Sequence, residues 1–203
     1  MRTEWSSTGS GPEEEGAMSA VAWPDRLLSL EDWAALPEDN SHRFELVEGA
    51  LLVSPRPVSD HQWALKKLTR QLDDQVPGEL VVLPEVEVVL FETWPSTIRI
   101  PDLVVVSVEA ARKSPARYRA ADVQLAVEIV SPGSARMKFD EYAEAGIPNY
   151  WIVDLNKPVS IAAYELKDDG IYVAVGDESA KKVTYSSPAR FVVDPGLLLP
   201  DWA

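Results

Sequence analysis

Two carboxylates stand inside apolar runs. Asp102 follows Pro101 in Ile100-Pro101-Asp102-Leu103-Val104-Val105-Val106, and Glu128 interrupts Leu125-Ala126-Val127-Glu128-Ile129-Val130. A carboxylate among β-branched neighbours is costly to bury alone. Each therefore needs a cation, a metal ion or hydrogen-bond donors, or else a solvent-facing place on a half-exposed strand. Composition narrows the choice of metal. The chain has no cysteine and two histidines. That excludes thiolate catalysis, disulfides, Cys-ligated zinc and a three-histidine site. A divalent metal would be held mainly by carboxylates, which favours Mg²⁺ or Mn²⁺ over zinc.

The elements that must position these groups can be read from periodicity. Ser29 and Asp32 form a capping pattern ahead of a short helix that ends at Pro37. The apolar runs on either side of Glu48-Gly49 predict a hairpin over 43–53. His61, Leu65, Leu68, Leu72 and Val76 share one face of a helix over 59–76, which Pro77-Gly78 stops. Lys66, Lys67 and Arg70 lie off that stripe. From 79 onward strands dominate: around Val86–Leu90, through the run Ile98–Val106 that Pro101-Asp102 interrupts, and over 123–129. In the last of these Glu128 points away from the face of Val127 and Ile129. Ser134 is placed to cap a helix over 135–145, with Gly146 as its C′ residue. A strand at 150–154 follows, then a hairpin of 159–166 and 171–175 turning at Asp168-Asp169-Gly170. Phe191–Val193 reads as a late edge strand and Leu197–Leu199 as a terminal plug. The sum is α+β, a mostly β core with two helices that bear on function. No internal repeat and no Gly-rich phosphate loop is present.

The length, 203 residues, fits one domain with a tail. Residues 1–22, rich in Ser, Gly and Glu, are expected to be a disordered leader, and 23–203 one domain. The 19 Lys and Arg against 33 Asp and Glu give a net charge of −14. That balance argues against coating DNA or an anionic membrane by bulk attraction, though it hides how charge is distributed. No apolar run is long enough to span a bilayer and no secretory signal is visible, so a cytoplasmic protein is expected.

In order along the chain stand Phe44-Glu45-Leu46-Val47-Glu48-Gly49, Ile100-Pro101-Asp102-Leu103-Val104-Val105, Val127-Glu128-Ile129-Val130-Ser131-Pro132-Gly133-Ser134, Lys138 through Tyr142, Gly146-Ile147-Pro148 and Tyr150-Trp151-Ile152-Val153-Asp154. This series resembles the Uma-two family of restriction endonucleases, within the PD-(D/E)XK nuclease superfamily, from about Phe44 to Asp154. The resemblance implies a restriction-endonuclease-like core, a mixed central β-sheet flanked by helices with additional hairpins. It implies metal-dependent cleavage of DNA phosphodiester bonds. On that pattern Asp102, Glu128 and the backbone oxygen of Ile129 hold Mg²⁺ or Mn²⁺. Glu45 matches the family's early glutamate, either as a further ligand or as an acceptor from a metal-bound water. Asp102, Glu128 and Lys138 are the catalytic candidates, with Lys138 orienting the attacking water.

The sequence departs from the superfamily in two places. Val130 stands where a lysine is expected two residues after the glutamate, and the resembled family takes its lysine from the following helix, which points to Lys138. Met137 also runs straight into Lys138, about four residues short of the family's spacing; losing about one helical turn keeps the face and draws the lysine toward the strand. His61 reads as a core or cleft-rim histidine that supports the site, and Tyr142, four residues after Lys138, either supports the lysine or packs in the core. Arg112, Lys113, Arg117 and Arg119 cluster between the two acidic strands. If their loop overhangs the site they would hold a DNA backbone; otherwise they are a solvated loop. Exposed strand edges and seven Trp suit a homodimer. The readings in competition are a nuclease, a non-catalytic nucleic-acid- or protein-binding module on the same fold, and a purely structural or oligomer-forming protein.

Overall fold

The computed structural model describes residues 24–37, 42–130 and 135–200. The expected leader and the Ser134 cap lie outside them. Helix α1 is Leu30–Ala34, and its start is the expected capping box, with the Asp32 amide donating to Ser29 Oγ and the Ser29 amide to Asp32 Oδ2. Strands β1 (His42–Val47) and β2 (Ala50–Pro55) make the hairpin. Its two turn residues, Glu48 and Gly49, both have positive φ, at 48° and 78°, as a twisted two-residue hairpin turn requires. Helix α2 (Ser59–Asp73) buries His61, Ala64, Leu65, Leu68 and Leu72, the stripe seen in the sequence.

Strands β3 (Leu80–Pro84), β4 (Val88–Phe91), β5 (Thr97–Arg99) and β6 (Leu103–Ser107) follow, then helix α3 (Val108–Arg112) and the short β7 (Tyr118–Arg119). Strand β8 is Val123–Val130, α4 is Ala135–Glu144 and β9 is Asn149–Asp154. The remaining strands are β10 (Ser160–Leu166), β11 (Tyr172–Ala174), β12 (Val183–Tyr185) and β13 (Phe191–Val193).

The strands form a six-stranded sheet, β11-β10-β9-β8-β6-β3, a five-stranded sheet, β2-β1-β5-β4-β7, and the pair β12-β13. The six-stranded sheet is mixed: β8 and β9 run parallel and the other neighbours antiparallel. Helix α4 is the crossover between the parallel strands, as a parallel pair demands. This is the expected α+β, restriction-endonuclease-like architecture. The Ile98–Val106 run breaks at Pro101-Asp102, as its sequence indicates: it ends in the five-stranded sheet at Arg99 and resumes in the six-stranded sheet at Leu103, because proline supplies no amide to carry a ladder through Pro101. Phe191–Val193 is the expected late strand, and its partner is β12, which the apolar pattern did not mark.

Alternation along β8 sorts its two faces. Leu125, Val127 and Ile129 join Leu65, Leu68 and Leu72 of α2 in one core, while Ala126 lies on the other side with Val104, Tyr150 and Tyr142 of α4. The sheet is therefore sandwiched between α2 and α4. A third core, Leu28, Trp33, Leu46, Val89 and Ile98, seats α1 on the five-stranded sheet. Leu198 is fully buried and Leu197 exposed, so one leucine forms most of the expected plug.

Candidate active site

The site forms where the chain passes between sheets. Antiparallel register sets Leu103 against Val127, so one step further places Asp102 opposite Glu128. On the five-stranded side Leu46 pairs with Ile98, so one step further sets Glu45 opposite Arg99, within reach of the Ile100 amide. All three carboxylates are buried: Asp102 is 1% exposed, Glu45 and Glu128 each 6%. The solvent-facing alternative for Asp102 and Glu128 is thereby set aside.

Each carboxylate has its own partners. Arg43 Nη1 donates to Asp102 Oδ1 at 2.7 Å. The Ile129 amide donates to Asp102 Oδ2 at 2.7 Å, and His61 Nε2 lies 3.2 Å from the same oxygen. Glu128 accepts from Tyr142 at 2.7 Å and from Lys138 Nζ at 3.0 and 3.1 Å. Lys138 Nζ also donates to Glu45 Oε1 at 2.9 Å. Glu45 takes the Ile100 amide on the same oxygen and Arg99 Nη1 on Oε2. Arg99, 1% exposed, makes a two-pronged pair with Glu141 of α4 at 2.7 and 2.6 Å.

These contacts explain the proton affinities. Burial pushes the Glu128 carboxyl up, and the nearby Asp102 and Glu45 charges add to that push against the pull of Lys138 and Tyr142. Burial also works against ionised Asp102, but His61 and Arg43 outweigh it and hold its carboxyl below the usual range. Glu45 is likewise held low against burial by Lys138, the Ile100 amide and Arg99. Lys138 is raised because Glu128 and Glu45 outweigh its own burial. Burial and the Glu128 charge raise the Tyr142 hydroxyl, so it stays a donor.

The local anchors of α4 matter here. The Ile147 amide donates to the Tyr142 carbonyl and the Gly146 amide to the Ala143 carbonyl, with Gly146 at φ 78°. That is the six-to-one and five-to-two pattern of a Schellman ending, as Gly146 led one to expect. It fixes the end of the helix that carries Lys138, Glu141 and Tyr142.

Among the described residues, no group of three or more His, Asp or Glu side chains has metal-ligand geometry. The donor set nonetheless suits a hard cation. Four carboxylates, Glu45, Asp102, Glu128 and Glu141, converge on three strong bases, Arg43, Arg99 and Lys138, with His61 beside Asp102. Asp102 and Glu128, with the Ile129 carbonyl, are oxygen donors of the kind Mg²⁺ or Mn²⁺ takes.

The expected site residues Asp102, Glu128, Ile129, Lys138, Glu45, His61 and Tyr142 are thus brought together. The basic cluster is not brought to them as a group. Lys113 pairs with Glu109, Arg117 with Glu87 and Arg119 with Glu92, while Arg112 lies in the last turn of α3. Of these, Arg117 reaches a cleft of about 500 Å³ that borders Arg43 and Ile100. Sequence reasoning missed Arg43, Arg99 and Glu141. The signal for Arg99 was present: a charge between Ile98 and Ile100 in an apolar run is as anomalous as Asp102. Arg43 had a weaker one, alternating with Glu45 along the same strand.

No curated protein matches this chain. In fold it is similar to the crystal structure of a putative nuclease belonging to DUF820 from Anabaena variabilis. The TM-score is 0.61 at 16% sequence identity, covering 79% of this chain and 89% of that one. The model of the Uma2 family, described as "Putative restriction endonuclease", matches residues 30–189. That match runs from α1 past β12 and takes in every residue of the buried carboxylate cluster, so the chain belongs to the Uma2 family.

Proposed function

We propose that the protein is a metal-dependent endonuclease that hydrolyses DNA phosphodiester bonds with Asp102, Glu128 and Lys138. The observation that carries this reading is the half-buried Lys138 ammonium, bonded to Glu128 of β8 and Glu45 of β1, with Asp102 opposite Glu128 just before β6. Asp102, Glu128 and the Ile129 carbonyl would hold Mg²⁺ or Mn²⁺. A bound divalent ion would neutralise the scissile phosphate and make hydroxide available near neutral pH. The chain's own groups do the rest. His61 and the Ile129 amide orient Asp102, and Tyr142 orients Glu128. Glu45, itself braced by Arg99, positions Lys138. An ammonium there can orient the attacking water and compensate charge gathering on the phosphate. Exposed Leu52 and Val53 on edge strand β2 support a homodimer. No helix among the described residues is long and apolar enough to cross a membrane.

One observation favours a non-catalytic module on the same fold. Both Asp102 oxygens already accept from protein donors, and Arg43 supplies a positive charge a metal could otherwise bring. Calorimetry with Mn²⁺, followed by cleavage of plasmid and single-stranded DNA, separates the two. A nuclease binds the ion and cuts, and Asp102→Ala abolishes both. If the native chain takes up no metal and cuts no faster than that variant, the proposal fails; retained DNA affinity without turnover would select the module.

A further inference from the structure

The cleft beside the carboxylates is not used by the proposed chemistry, yet it is chemically distinctive. Its wall carries three guanidiniums, Arg43, Arg56 and Arg117, with Glu85 and Glu87 beside them; Arg43 is paired with Asp102 and Arg117 with Glu87. Its lining also includes Pro57 and the half-buried ring of Phe44, while Trp33, which borders it too, is buried in the core that seats α1. One carboxylate braces both sets. Glu87 Oε2 accepts from the Trp33 indole at 3.0 Å and lies 2.6 Å from Arg117 Nε. Arg43 joins the cleft to the site, lining the one and donating to Asp102 in the other, and Ile100 does the same through the carbonyl that Arg43 also grips. Glu85, whose own amide donates to the Asp102 carbonyl, is held at φ 51° on this wall, a conformation that costs energy for a residue with a side chain.

Resting on the nuclease reading, we infer that this cleft is a nucleotide subsite. It takes one unstacked nucleotide of a nucleic-acid strand, adjoining the phosphate that a divalent ion at Asp102 and Glu128 would hold. Guanidinium groups recognise phosphate by directed, charge-assisted donation, and aromatic faces accept any base by stacking. A cleft of about 500 Å³ falls within the range of pockets that enclose small ligands. A base inside a duplex cannot enter it. The subsite therefore selects a strand whose base is already free, as in single-stranded DNA, or one that is flipped out at an energetic cost. This gives the acidic protein a local grip on a strand in place of a general attraction to DNA. Phe44 is a half-buried ring of the lining, with His42 at 6.1 Å between centroids, and Arg56 is exposed.

The test is fluorescence anisotropy of a labelled twelve-nucleotide single strand and of its blunt duplex, with the full chain in EDTA so that cutting does not interfere. The single strand is expected to bind more tightly than the duplex. Phe44→Ala should weaken it roughly ten- to a hundredfold, the loss expected of one stacking platform. Arg56→Glu, on an exposed side chain, should weaken it as well, which guards against a folding defect in the first variant. Equal affinity for strand and duplex, or unchanged affinity in Arg56→Glu, overturns the subsite. The same preparations assayed for cleavage with Mn²⁺ judge the nuclease reading separately. Strand binding that depends on Phe44 without cleavage refutes only the activity, and cleavage with unaltered binding in both variants refutes only the subsite.

Discussion

Replacing Lys138 by methionine removes the cation shared by Glu45 and Glu128 and keeps most of the buried stem. Glu45 retains Arg99 and the Ile100 amide. Glu128 is left with the Tyr142 hydroxyl as its remaining donor among the described residues, so it bears the cost. Breaking a buried pair by removing one partner costs about 3–5 kcal/mol while the other stays charged. Glu128 has an escape, however, because it can bind a proton. Its folded carboxyl already lies above its ordinary value through burial and the Asp102 and Glu45 charges, and losing Lys138 raises it further. The native state then binds more protons than the unfolded chain. Stability from this group is full below the unfolded value and is lost as pH rises through the folded one. The deficit of Lys138→Met relative to the parent should be largest at pH 8. It should shrink on acidification by about 1.4 kcal/mol for each pH unit over which Glu128 is protonated in the variant's fold but ionised in the parent's. Urea unfolding followed by tryptophan fluorescence at pH 5, 6, 7 and 8 measures this. A deficit independent of pH, or one that grows toward pH 5, would refute the reasoning. Adding Glu128→Gln to the variant should flatten the dependence. A separate acid limb is expected in both chains. Asp102 has a lowered carboxyl, so its contribution is present above the ordinary carboxylate range and is lost as pH falls through its folded value; in the parent Glu45, held low against burial by Lys138, adds to it.

Tyr142→Phe removes a 2.7 Å donation to a buried carboxylate, expected to cost about 1.5–3 kcal/mol in urea unfolding. Because Glu128 then holds its proton more firmly, calorimetric Mn²⁺ binding should require a higher pH than in the parent. Gly49→Ala tests the hairpin beneath Glu45: at φ 78° the added Cβ would meet Leu27 Cβ at 3.1 Å and the Leu28 carbonyl at 3.3 Å, and a destabilisation of about 1–2 kcal/mol should appear as a lowered Tm.

The elements with strong local signals were legible in the sequence. The α2 stripe, the Ser29–Asp32 capping box, the Glu48-Gly49 turn and the Gly146 ending of α4 follow from periodicity and from backbone conformations that few residues tolerate. Short strands such as β7 and β12 carry too few residues to show a period, and they exist only because longer neighbours offer an edge. The crossing at Pro101 is intermediate. Proline marks a break in the ladder, but which sheet each half joins depends on pairing across the whole chain.

The site divides in the same way. By itself the sequence determined that Asp102 and Glu128 need partners, since an isolated charge among valines and isoleucines cannot be buried cheaply. It also determined the kind of metal the chain could hold, because it contains no cysteine and only two histidines. Tertiary structure decided which partners arrive. Arg43 comes from a hairpin 59 residues before Asp102, Arg99 ties Glu45 to Glu141 across 54 and 42 residues, and Lys138 reaches back to Glu45 over 93. Such contacts leave no local mark, because charge pairing depends on distance in space and carries no periodicity along the chain. Only the docking of two sheets and a helix made those distances short.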